Sequence, residues 1–395
     1  MYINPAIVGV IFFAASSVAL SNSSNAGSQT LPPLEKLGKA LFFDTNLSKP
    51  VGQSCASCHD PAHAFSGPDK YPSSSEGAVT GRFGPRNSPT AMYAAFRSFF
   101  HFDEEEGLFL GGQFLDGRAA TLEEQAGQPM LNPLEMNNPD KQSVVDEVKA
   151  AAYADLFREV FGPTSLDETE TAFNYIAKAI AAFENRSVFS PFSSKYDAYL
   201  AGKTKLTKQE LRGLNAFEAE DKGNCAACHP SRAAADGTPP LFTDASYDNL
   251  GLPRNPDNPF YTQSPEFNPK GSAFVDLGLG LAVNQSTENG KFKVATLRNI
   301  AITAPYSHNG YFYSLRNVVD FYNSRDVKPK CPSEFTSEKQ ALAINCWPAP
   351  EVAENVNTDE LGDLGLTEQE VDDITAFLET LTDGWQQTPP GKKNR

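Results

Sequence analysis

The chain has 395 residues, a formal net charge of −16 and an apolar fraction of 40%. That length allows two domains with cores of their own. The composition is that of a globular protein, not of a disordered or membrane-spanning one. So acidic a surface repels nucleic-acid phosphates, which excludes nucleic acid as a partner and favours basic protein surfaces.

Residues 1–26 carry no charged side chain and hold one apolar run, Ala6 to Phe13. The run is too short to span a bilayer, and Ser24-Asn25-Ala26 offers a cleavage site. We read a secretory signal peptide over 1–26, hence a periplasmic or secreted protein. No Lys or Arg precedes the run, so an uncleaved anchor or a different start stays open. No later segment is long and apolar enough to cross a membrane.

Periodicity predicts a helix over Pro33–Phe43 with Leu34, Leu37 and Leu41 on one face. A second begins at Thr121, with Glu124 placed for a capping box. A third, amphipathic helix runs from Gln142 to Phe161 and stops at Gly162-Pro163. A fourth spans Asp167–Arg186, capped by Asp167 and Glu170, and buries Phe173, Ile176, Ile180 and Phe183. Thr207 and Glu210 cap a fifth carrying Leu211, Leu214 and Phe217. Pro230–Gly290 reads as loop. Ser314 caps a helix through Tyr322, and Thr367 with Glu370 caps a last one whose Val371, Ile374, Leu378 and Leu381 form a stripe. Strand signals are sparse, with one short hairpin expected within Phe274–Thr296. The fold class expected is mostly α, as two haem-binding domains with long loops, divided at 27–201 and 202–395.

That haem expectation rests on Cys55-Ala56-Ser57-Cys58-His59 and Cys225-Ala226-Ala227-Cys228-His229. Covalent haem attachment needs two thiols spaced to meet both vinyl groups and a His directly after to bind iron. With 6 Cys and 5 His in the chain, one chance match is expected about 0.001 times. Two matches, each after a similar helix, identify two covalently bound haem c groups. A thioredoxin-like pair or half a zinc site leaves the His unexplained. Cys331 and Cys346 remain; in an oxidising compartment they form a disulfide, against the alternative of two buried free thiols. Only His63, His101 and His308 are left as further His ligands, so the sixth ligands are of another type or one site is open.

The chain resembles the bacterial di-haem cytochrome c peroxidases and their relative MauG. The resemblance covers essentially the whole mature chain. It is carried by both haem motifs and by Gly84-Pro85-Arg86-Asn87-Ser88-Pro89, Asp116-Gly117-Arg118-Ala119, Glu124-Gln125-Ala126, Asn132-Pro133-Leu134-Glu135-Met136, Thr296-Leu297-Arg298-Asn299 and Thr303-Ala304-Pro305-Tyr306. It implies cytochrome c-like domains, a peroxide-reactive haem on His59 and an electron-transfer haem on His229. It gives Glu135 the distal acid–base role, with Gln125 as its hydrogen-bonding neighbour. No His lies between Gly67 and Arg86 to close the first haem, which implies a site open without reductive activation, as in MauG. Tyr322 matches the sixth-ligand position of the second haem, where typical peroxidases carry Met and MauG carries Tyr. Without the resemblance, an inward Tyr is simply core. Asn87, Thr303 and Pro305 match a calcium site. His308 and Arg298 are expected beside the second haem.

Two departures stand out. Leu115 occupies a position where the family usually has Trp between the haems. Gly223 stands where MauG has a Trp that receives charge from its substrate.

The function implied is a MauG-like oxidoreductase that uses hydrogen peroxide to reach a high-valent di-haem state and oxidises Trp or Tyr side chains of a partner protein. A copper-binding or quinone-cofactor precursor protein is the partner type implied. The alternative is a peroxidase that reduces hydrogen peroxide with electrons from a small cytochrome or copper protein. A di-haem electron carrier with both irons saturated is a third reading, which Glu135 with Gln125 argues against.

Overall fold

The computed structural model describes residues 31–68 and 73–387, so the expected signal peptide at 1–26 lies outside the described residues. From Pro33 onward the helices are α1 (Pro33–Phe42), α2 (Cys55–Cys58), α3 (Leu122–Leu131), α4 (Lys141–Ala150), α5 (Ala154–Phe161) and α6 (Thr169–Glu184). They continue as α7 (Lys195–Leu200), α8 (Lys208–Glu218), α9 (Leu279–Val283), α10 (Leu315–Ser324), α11 (Glu338–Ala343) and α12 (Glu368–Glu379). Two small antiparallel pairs join β1 (His101–Asp103) to β2 (Leu108–Leu110) and β3 (Tyr247–Asp248) to β4 (Phe292–Lys293).

One arrangement occurs twice. The helix before each haem motif crosses a long closing helix, α1 on α6 and α8 on α12, and both crossings need a glycine. A Cβ at Gly38 would collide with the Ala179 carbonyl, and one at Gly213 with the Asp373 carbonyl. Around the first crossing Phe42, Phe65, Phe183 and Phe189 pack edge to face. Around the second, Tyr196, Phe217, Phe242 and Phe377 do the same. The two clusters draw on Leu37–Phe189 and Tyr196–Leu381. A third cluster gathers Trp347, Phe312 and Phe321 beside the disulfide that joins Cys331 to Cys346.

The halves meet along a polar seam. Arg86 Nη1 bonds Asp116 at 2.7 Å, and its Nε and Nη2 donate to Asp276 at 2.7 and 2.8 Å. Tyr93 Oη donates to Asp383 at 2.8 Å, and Asn299 Nδ2 donates to the same carboxylate.

Several local expectations differ. Gln142–Phe161 is two helices, α4 and α5. Tyr153 at the break sends its hydroxyl to Asp44 at 2.5 Å, which re-aims the chain although Ala151 and Ala152 favour helix. The cap of α6 is Glu168, whose carboxylate accepts from Glu170 N and Thr171 N, not Asp167. Glu124 reaches back to Ala120 N rather than to Thr121. Leu211 is exposed while Leu214 and Phe217 are buried. No hairpin closes within Phe274–Thr296; Phe292–Lys293 pairs instead with Tyr247–Asp248, and the local hairpin is β1–β2. The boxes at Thr207/Glu210 and Thr367/Glu370 are reciprocal as expected.

Candidate functional site

Each Cys-x-x-Cys-His is one tight turn, α2 for the first and a 3₁₀ turn, Cys225–Ala227, for the second. Both His backbone N–H groups donate to the carbonyl of the first cysteine, at 2.9 Å for His59 and 2.8 Å for His229. The rings are then fixed from outside the motif. His59 Nδ1 lies 3.1 Å from the Phe65 carbonyl and His229 Nδ1 lies 2.7 Å from the Phe242 carbonyl. A backbone acceptor at Nδ1 places the proton there and leaves the Nε2 lone pair for iron. Both phenylalanines have φ of +53°, the left-handed region that a bulky residue adopts only under constraint. Burial holds both imidazoles below the usual histidine range, which favours the neutral ring. Burial also pushes Cys225 and Cys228 up to about 12.

Beside the second motif lies a cavity of about 280 Å³. Cys225, Cys228 and His229 line it together with Leu315, Val318, Val319 and Tyr322 of α10. Among the described residues no hydrogen bond reaches the Tyr322 hydroxyl. Free thiols at vinyl spacing, an oriented imidazole and an apolar cavity fit haem c at this position.

The Asp116-Gly117-Arg118 turn brings Leu115 to the same cavity wall, and Gly223 lines it too. His308 also lines it, stacked on Phe292 at 3.7 Å. Arg298 does not lie on the cavity: it is buried, paired with Asp197 at 2.8 and 3.0 Å, and sits over Tyr93 and Phe192.

Glu135 lies four residues beyond α3. Asn132 Nδ2 donates to its Oε1 at 2.8 Å, which leaves Oε2 available. Burial raises its pKa, while Arg118 and Asn132 act in the opposite direction. Gln125 is half-buried on α3, and it shares no hydrogen bond with Glu135 among the described residues. Asn87 and Pro305, 218 positions apart, are brought together, with Asn87 Nδ2 donating to the Pro305 carbonyl at 2.7 Å. Thr303 lines the same cavity, and its hydroxyl faces the Ile300 carbonyl at 3.4 Å.

The profile of the family described as "Di-haem cytochrome c peroxidase" matches residues 32–205. Methylamine utilization protein MauG of Paracoccus denitrificans is 41% identical over 363 residues, covering 89% of this chain and 88% of that protein. This chain belongs to the di-haem cytochrome c peroxidase and MauG family. Cytochrome c551 peroxidase of Nitrosomonas europaea is 31% identical over 315 residues, 78% of this chain and 79% of that one. Among solved structures, the diheme peroxidase BthA of Burkholderia thailandensis superposes with a TM-score of 0.74 at 33% identity, covering 92% and 91% of the two chains. The chain is therefore a haem-dependent oxidoreductase of a family that carries two haem c groups.

The sequence reading missed the Phe65 and Phe242 carbonyls. They lie 6 and 13 positions after their histidines, so no fixed spacing marks them. It also missed Arg97 and Lys293, two basic side chains on the cavity wall.

Proposed function

We propose that this protein is a MauG-like enzyme that uses hydrogen peroxide to oxidise Trp or Tyr side chains of a partner protein. The observation that carries the proposal is Tyr322. It lines the same cavity as Cys225, Cys228 and His229, with a hydroxyl that has no protein hydrogen-bond partner among the described residues. Burial beside the cysteine sulfurs pushes its phenol pKa up. A ferric haem iron bound in the cavity would supply the positive charge that favours the phenolate. A phenolate is a hard anionic donor that favours oxidised iron and lowers the potential.

The bound haems supply the redox chemistry with peroxide. His59 and His229 would hold the haem irons, their rings fixed by the Phe65 and Phe242 carbonyls. Glu135 takes a proton from peroxide at Oε2 and returns it to the leaving oxygen, while Asn132 holds Oε1 in place. Gln125 stands as its polar neighbour. Asn87, Thr303 and Pro305 hold a calcium ion through oxygen atoms, after an amide flip that turns Asn87 Oδ1 inward. The two halves, 27–201 and 202–395, act as cytochrome c-like domains in a periplasmic or secreted setting. A copper-binding or quinone-cofactor precursor protein fits as the substrate.

Tyr322→Met tests the reading. The second haem should lose tyrosinate bands in resonance Raman and gain a higher midpoint potential, with both haems still attached. An unchanged potential, with no tyrosinate signal in the parent, would sink it. The likeness to diheme peroxidase BthA supports the second reading, a peroxidase fed by a small cytochrome or copper protein. That reading takes the lead if Tyr322 is not a ligand.

A further inference from the structure

Lys293 of β4 is only 6% exposed, yet it carries an amine. Its Nζ donates to the Gly112 carbonyl at 2.6 Å and lies 5.7 Å from the Tyr247 ring centre. Among the described residues no carboxylate pairs with it. The nearest acid in influence, Asp116, is taken by Arg86 at 2.7 Å and Arg118 at 2.9 Å. Arg97 is in the same position: its Nη1 donates to Gln113 Oε1 at 3.0 Å, and it has no ion pair among the described residues.

Both side chains line the cavity that also holds Leu115, Cys225 and His229. Two enclosed cations with no ion pair among the described residues are costly, and Arg97 adds to the burden on Lys293. Burial, then Arg97, drive the Lys293 amine well below its usual range. A chain that keeps two such groups on one wall gains only if whatever fills the cavity brings carboxylates.

Haem c carries two propionates, and the family places two such groups in this chain. The position of the cations suits both. Lys293 N–H donates to the Leu115 carbonyl at 2.8 Å, and Lys293 shares the cavity wall with the second motif. Arg97 interacts electrostatically with Glu184, a buried acid with an unpartnered Oε2, and Glu184 in turn acts on Cys55 of the first motif.

We propose that Lys293 and Arg97 form a shared cationic seat for haem propionates, set between the two haem sites. The carboxylates neutralise the buried cations, and the cations raise the reduction potentials of the haems they face. The proposal rests on the family's two haem c groups and stands whether or not Tyr322 is a ligand.

The test uses the haem-loaded protein. Lys293→Met keeps the length of the side chain and removes its charge, and Lys293→Arg keeps the charge. Potentiometric titration and the propionate-bending bands in resonance Raman are read on each, with haem content checked by pyridine haemochrome. The Met variant should keep two haems per chain, lower the midpoint potential of at least one haem and shift a propionate band. The Arg variant should stay near the parent in potential. Full haem content with unchanged potentials and unchanged propionate bands in the Met variant would overturn the seat. Should that variant not load haem, Arg97→Gln is read by the same two measurements, and unchanged values there overturn it equally.

Discussion

The rate of the peroxide reaction should be set by the ionised fraction of Glu135. Its Oε1 is held by Asn132 at 2.8 Å, and burial raises its pKa above the ordinary carboxylate value, so the protonated, idle form persists to higher pH than in an exposed Glu. Glu135→Gln keeps the shape and the Asn132 contact but removes the proton acceptor, which should slow the reaction by about 10²–10⁴-fold. Asn132→Ala is the subtler probe. A hydrogen bond to a charged acceptor contributes about 1.5–3 kcal/mol, and the half-buried site argues for the low end. Losing about 1.4 kcal/mol shifts the ionised fraction about tenfold at a given pH. The bond favours the carboxylate, so its loss raises the pKa further, and the rate–pH curve should move to higher pH with an unchanged plateau. Stopped-flow mixing with peroxide between mildly acidic and mildly alkaline pH, followed at the Soret band, reads both variants. Parent-like rates in Glu135→Gln would refute the assignment, as would an unmoved pH profile in Asn132→Ala.

Glu184 gives a stability prediction with the opposite dependence from a salt-bridged acid. Its pKa is raised from 4.5 to about 8 by burial, so between those values the native state holds a proton that the unfolded chain has lost. Stability should therefore fall as pH rises through that window, by at most roughly 1.4 kcal/mol per pH unit; urea midpoints that do not fall, or a Glu184→Gln variant with the same slope, would count against it. The Cys331–Cys346 disulfide closes a loop with a sequence separation of 15. Replacing both cysteines by Ser should cost about 3 kcal/mol in urea unfolding, and an unchanged midpoint would show the loop is held by packing alone. Prolonged chelation, or Asn87→Ala, should perturb both haem spectra by removing calcium; unchanged spectra, with no calcium detected in the parent by elemental analysis, would exclude the site.

How much of this could be read from the chain depended on range. The haem motifs and the Thr207 and Thr367 boxes are encoded within a few residues, and they stand in the structure as written. The α4–α5 break is not, because Ala151 and Ala152 are good helix formers and only the distant Asp44, which receives the Tyr153 hydroxyl, turns the chain. The imidazole acceptors are backbone atoms of Phe65 and Phe242, and a carbonyl leaves no mark on residue identity. Nothing in the sequence marks Lys293 or Arg97 as cavity residues. The burial of Lys293 follows from the fold, which sets β4 against Leu115. The resemblance places Arg298 beside the second haem; in the structure its guanidinium is paired with Asp197, a partner no local pattern announces.

Arg86 bears on how this enzyme moves. Its guanidinium joins Asp116 of the first half to Asp276 of the second, and its presence holds the Asp276 carboxyl down at about 2. Separating the halves would break the Arg86–Asp276 bridge alone, because Asp116 keeps both Arg86 and Arg118 beside it within the first half. The charge that such an opening would leave without its partner is the Asp276 carboxylate, so the electrostatic hold between the halves at this point is concentrated in one bidentate contact.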